Sequence, residues 1–180
     1  MQATPRRTGS PALRQGLIFG VISGLVGILL IVLGTLVSGL GILTFILSII
    51  VPLVAYILAG TFAAQVTGRV STGMLAGLWA GLFGSVLYAI GFFIFNYPNV
   101  DTLRQTAQKA VNQSHINFTY TNSLIITSII IYLVGAIIVS SLLGLGVGAI
   151  GGLIGRGRAK VQPQVYQESL YQPPPRPNQY

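Results

Sequence analysis

The chain has 180 residues, 52% hydrophobic and only 7% charged, with a formal net charge of +8. A soluble domain carries roughly 25% charged residues, so a water-covered globule is excluded and lipid must solvate most of the surface. With no cysteine, one histidine (His115) and two acids (Asp101 and Glu168), the chain has no disulfide, no thiol nucleophile and no convincing metal shell.

Residues 1–15 are polar and basic, with Arg6, Arg7 and Arg14, and are expected to be disordered and cytoplasmic. The first apolar run, 16–37, is longer than the hydrophobic region of a cleavable signal, so it reads as a retained membrane span. It carries Gly16, Gly20, Gly24, Gly27 and Gly34. At about 100° per residue these fall on a helical stripe roughly 80° wide.

A very short link, around Ser38 and Gly39, leads to a second span over 40–64 and so predicts an antiparallel hairpin. Pro52 removes a backbone donor within it and predicts a kink. Ser48 and Tyr56 are placed to satisfy the carbonyl that Pro52 frees. Arg69 marks the next link.

The third span, 73–95, repeats the glycine spacing of the first at an offset of 57: Gly73, Gly77, Gly81, Gly84 and Gly91. Leu25 aligns with Leu82, Leu30 with Leu87, and Ser23 with the similarly small Ala80. Spans one and three run in the same direction, so the repeat is parallel, and the fold expected is two tandem helical hairpins. A glycine stripe lets a neighbouring helix approach closely. The two stripes either meet at the centre of a four-helix bundle or face a second molecule.

Tyr97, Pro98 and Asn99 end the third span and open the loop 96–122. Asn99 or Asp101 is placed to cap a short helix reaching about residue 112. Its apolar side is Val100, Leu103, Ala107, Ala110 and Val111. His115 reads as a solvated loop residue. Asn112 and Asn117 each begin a glycosylation pattern, which matters only in a eukaryotic secretory pathway.

The fourth span, 123–154, is too long for one perpendicular crossing, so it must tilt, kink or project. Its end, 144–152, is glycine-dense and is expected to be irregular. Ser85, Ser128 and Ser140 read as serines that pack helices or bond the backbone.

The tail, 156–180, is rich in proline, glutamine and tyrosine and cannot bury enough apolar area to fold alone. Pro173, Pro174, Pro175, Arg176 and Pro177 are the candidates for contact with an aromatic groove.

The spans contain no ionisable side chain other than tyrosine. A proton-coupled exporter needs such a group at membrane depth, and the first span offers only Ser23 and Thr35. Paired aspartates and a nucleophile–base set are absent as well, so an enzyme is not expected. Basic residues flank the spans rather than forming a patch between aromatics, which argues topology and not nucleic acid. Arg6, Arg7, Arg14, Arg69, Arg156, Arg158 and Lys160 put both termini on the cytoplasmic face of the cell membrane.

The whole reads as a four-helix transmembrane domain over 16–155 with no cofactor, its partners the lipid bilayer and a membrane protein or a second copy. The favoured role is structural, accessory or regulatory, exerted through helix packing. The alternative is a pore or carrier for a neutral or weakly polar solute, using carbonyls near Pro52 or 144–152 with Ser140 and Ser141.

Overall fold

A computed structural model describes residues 10–37, 39–114 and 118–159. Arg6, Arg7, Ser38, His115, Asn117, Lys160, Glu168 and the candidate tail segment from Pro173 to Pro177 lie outside the described residues.

The described residues form four long helices and one short one: α1 (Pro11–Leu36), α2 (Gly41–Thr67), α3 (Val70–Asn96), α4 (Val100–Gln113) and α5 (Asn122–Gly157). The four long ones are long and apolar enough to cross a membrane. The fold is therefore all-α, the architecture of a small multi-pass membrane protein.

Local chemistry sets the helix ends. Ser10 caps α1 by accepting from the Leu13 amide at 3.2 Å, with Pro11 just inside the start. Gly68 closes α2 at φ 67°, a left-handed position that costs glycine little, and its amide reaches the Ala64 carbonyl at 2.7 Å. Gly39, at φ 114°, does the equivalent work in the link between α1 and α2. Thr121 caps α5 through the Leu124 amide.

Side-chain neighbours fix the arrangement. α1 runs parallel to α3, with Gly16 beside Ala76 and Trp79, Gly20 beside Ala80, and Gly24 beside Gly84. α2 runs parallel to α5, pairing Tyr56 with Ser140 and Gly60 with Gly148. α1 and α2 are antiparallel, as Phe19 stacks on Phe62 and Gly34 meets Thr44. α3 and α5 are antiparallel, with Gly73 against Gly152 and Gly81 against Ser140.

Around the bundle the order is thus α1, α2, α5, α3. Arg14, Arg69 and Arg156 gather at one end, and α4 lies at the other. At this loop end Val100 is buried, Asp101 accepts from Asn122 at 3.0 Å, and Asp101 faces Arg104 at 3.8 Å.

The core is made of small residues. Ala59, Ala63, Ala64, Ala76 and Ala80 are completely buried, whereas Leu36 and Ile42 are 75% and 78% exposed. Lipid can solvate large aliphatic side chains as well as a protein interior can, so close approach of backbones supplies the packing instead.

Three local expectations change. Neither Asn99 nor Asp101 caps α4: the Asn99 side chain donates back to the Phe95 carbonyl at 3.0 Å, and Asp101 accepts from Asn122. The glycine-dense stretch 144–152 is not irregular: α5 is a single helix of 36 residues that continues through it. Gly144, Gly148, Gly151 and Gly152 are buried against α2 and α3, and these contacts outweigh glycine's weak helix propensity. Nor do Ser48 and Tyr56 serve the carbonyl freed by Pro52. The Ser48 hydroxyl donates to the Phe45 carbonyl at 2.6 Å, and Tyr56 pairs with Ser140. α2 is one helix through Pro52.

Candidate functional site

The bundle is unevenly filled. In the half nearer the arginines, Gly60, Gly73, Gly77, Gly144, Gly148 and Gly152 bring α2, α3 and α5 into backbone contact. A Cβ on Gly73 would lie 2.6 Å from the Gly152 Cα, and one on Gly77 would lie 2.7 Å from the Gly148 Cα. At these contacts the three backbones leave no room for a solute between them.

From the middle of the bundle toward the loop end the four long helices border a cavity of about 290 Å³ that is open on one side, with Phe45, Ile49 and Tyr132 of its wall exposed. That volume equals about ten molecules of liquid water at ~30 Å³ each. All four long helices line it: α1 through Ser23, Gly27 and Leu30; α2 through residues between Phe45 and Tyr56; α3 through Gly84, Ser85 and Tyr88; α5 through Tyr132, Ala136 and Ser140. Ser23, Tyr56, Ser85 and Ser140 lie near the middles of their helices, so the inner part of the cavity lies near the bilayer midplane if the helices span.

Seven hydroxyls reach this wall, and no charged side chain does. Ser23 donates to the Gly20 carbonyl at 3.0 Å, and Ser85 to those of Gly81 and Leu82 at 2.6 and 3.1 Å. With Ser48 donating to Phe45, three serine protons are committed to their own helices. Their oxygens keep accepting capacity. Tyr56 and Ser140 share a hydrogen bond of 2.6 Å at the inner end. Among the described residues, the Tyr88 and Tyr132 hydroxyls have no hydrogen-bond partner, and both rings pack near that of Phe92, with centroids 6.0 and 6.1 Å away.

Pro52 lines the same cavity and supplies no N–H to the carbonyl of Ser48 one turn earlier. The wall therefore offers both donors and acceptors on a mostly apolar surface. Among the described residues no cluster of acids or histidine is able to hold a metal.

The sequence-predicted glycines do not gather at this site. Gly16, Gly20, Gly24, Gly84 and Gly91 lie between α1 and α3, while Gly73, Gly77 and Gly81 approach α5. Gly34 meets Thr44 of α2, and only Gly27 and Gly84 also line the cavity. Ser85 and Ser140 do bond backbone or a neighbouring helix, yet they also face the cavity; Ser128 is exposed. Ser23, Ser48, Tyr88 and Tyr132 had no common spacing to mark them as partners in one site. No family model, no curated protein and no solved structure matches the chain.

Proposed function

We propose that this chain is a cell-membrane protein of two tandem hairpins, α1–α2 and α3–α5, that carries a neutral, weakly polar solute through its hydroxyl-lined cavity. The cavity is the observation that carries this reading: seven hydroxyls from four helices line it with no charge among them, and four of the seven lie near the middles of their helices. Ion conduction is disfavoured by the same lining, because an unpaired ion in such a site keeps most of its desolvation cost. The termini are assigned to the cytoplasmic face from Arg14, Arg69, Arg156 and Arg158. Of the repeated glycines, Gly16, Gly20, Gly73, Gly77 and Gly81 are assigned the role of packing α1, α3 and α5 closely enough to seal the arginine half. In this reading the protein is not an enzyme.

The test is solute flux into liposomes containing the purified protein, across ions, polyols, small alcohols and water. Uptake of neutral solutes is expected, with ions excluded. Ser85→Leu, inside the cavity, should abolish it. Gly146→Trp should leave it intact, since a side chain at Gly146 meets nothing within 4 Å. Silence across the panel with insertion verified would overturn the carrier reading.

A structural or accessory role is the second reading, and one observation favours it. Gly146 lies in an outward groove of α5 with Val139, Leu142, Leu143 and Ile150, a shape suited to another membrane helix. For that role Gly146→Trp would block cross-linking to a partner and Ser85→Leu would not.

A further inference from the structure

The cavity that carries the reading above also selects among neutral solutes, and this inference rests on that reading for its site but not for transport. Three constraints come from its wall. No charged side chain lines it, so a bound ion would have no partner for its charge. Leu30, Ile49, Val51, Pro52 and Ala136 make much of the surface apolar, so a molecule covered in hydroxyls would leave many of them unbonded. The hydroxyls that remain are complementary: Tyr88 and Tyr132 have protons to give, while Ser23, Ser48 and Ser85 have already donated theirs and can accept.

One group that both donates and accepts answers this inventory. We infer that the cavity binds a compact, uncharged and mainly apolar molecule bearing a single hydroxyl, an aliphatic or aromatic alcohol. Its hydroxyl accepts from the phenols of Tyr88 and Tyr132 and donates toward a serine oxygen, and its body lies against α2 around Pro52. The volume of about 290 Å³ falls just below the usual range for small-molecule pockets, which begins at ~300 Å³. A single-ring alcohol is accommodated.

The experiment is photolabelling of the full-length protein in lipid nanodiscs with a diazirine-bearing benzyl alcohol, followed by peptide mapping. Labels are expected on α2 between Phe45 and Tyr56 and on α5 between Tyr132 and Ser140. Excess benzyl alcohol should compete, and equal concentrations of toluene or glycerol should not. Tyr88→Phe combined with Tyr132→Phe keeps both rings and removes both donors, so labelling should fall about tenfold or more. An unchanged thermal midpoint for that variant establishes that the bundle is intact.

Competition by toluene equal to that by benzyl alcohol would overturn the need for a hydroxyl and point to an acyl chain as occupant. Competition by glycerol would overturn the need for an apolar body. Labels scattered over the outer faces and insensitive to the tyrosine changes would overturn the site itself. Specific labelling without flux removes carriage and leaves the ligand class standing; polyol flux without alcohol competition does the reverse.

Discussion

The hydroxyls of Tyr56 and Ser140, 84 residues apart in the chain, meet at 2.6 Å and join α2 to α5. The contact lies where the close-packed half of the bundle gives way to the cavity. Tyr56 is buried, and the Ser140 oxygen also approaches the Gly81 carbonyl of α3 at 3.5 Å. One serine therefore lies at the junction of three helices.

A double-mutant cycle of Tyr56→Phe and Ser140→Ala should give a coupling of about 0.6 kcal/mol, the average for such bonds in membrane bundles, and no more than ~1.7 kcal/mol. The readout is unfolding in mixed detergent micelles. The sign follows from the alternative: with one partner gone, the other hydroxyl is left in an apolar setting with only a weak bond or none. Additive single effects would mean that the two hydroxyls do not act together.

Gly77 and Gly146 sit on the same bundle but face opposite surroundings. A Cβ at Gly77 would run into the Gly144 carbonyl and the Gly148 Cα, all rigid backbone, whereas one at Gly146 meets nothing within 4 Å. Gly77→Ala should destabilise by about 1–3 kcal/mol through forced separation of α3 from α5. Gly146→Ala should be neutral or stabilise by up to ~1 kcal/mol, since alanine is the better helix former. Thermal unfolding of the two variants in one detergent decides it, and equal midpoints would contradict the close approach.

These two glycines also show what the sequence could and could not disclose. Hydropathy and length locate each span, because a lipid-facing helix needs about 20 apolar residues whatever it packs against. The glycine repeat is visible for the same reason, as a spacing within one helix. Which neighbour each glycine meets is not, since Gly73, Gly77 and Gly81 approach α5 while Gly84 and Gly91 approach α1 on the same helix. The cavity was hidden more deeply. Its hydroxyls arrive one or two per helix, and only the crossing of four helices brings Ser23, Ser85 and Tyr132 to one wall. Glycine density alone points to a break at 144–152, and the contacts with α2 and α3 that keep α5 continuous exist only in the folded bundle.

Gln108 ties the end of the loop to α4. Its amide nitrogen donates to the Phe118 carbonyl at 2.9 Å, and its oxygen accepts from the Tyr120 amide at 2.8 Å. The side chain thereby stands in for a backbone turn between α4 and the start of α5. Gln108→Ala should leave both amide partners to water and raise hydrogen exchange at Tyr120 by about fivefold or more, for a net loss near 1 kcal/mol. Exchange by mass spectrometry on the 118–124 peptide reads this directly. No change there would mean that the segment is held by other contacts, such as the Phe118–Tyr120 ring pair at 5.0 Å.

The absence of cysteine from all 180 residues makes orientation directly testable. Ser71 lies at the arginine end near the start of α3, and Thr119 lies in the loop before α5; both are exposed. Among the described residues Arg14, Arg69, Arg156 and Arg158 flank the spans at the first end, while the loop end mixes Asp101 with Arg104 and Lys109. Positive flanks are retained on the cytoplasmic side, and acidic residues contribute little to that choice. A membrane-impermeant maleimide applied to intact cells should therefore label Thr119→Cys and spare Ser71→Cys until the membrane is opened. The reverse pattern would invert the topology and turn the cavity half toward the cytoplasm. Labelling of both would show a mixed orientation, which the charge difference between the two ends argues against.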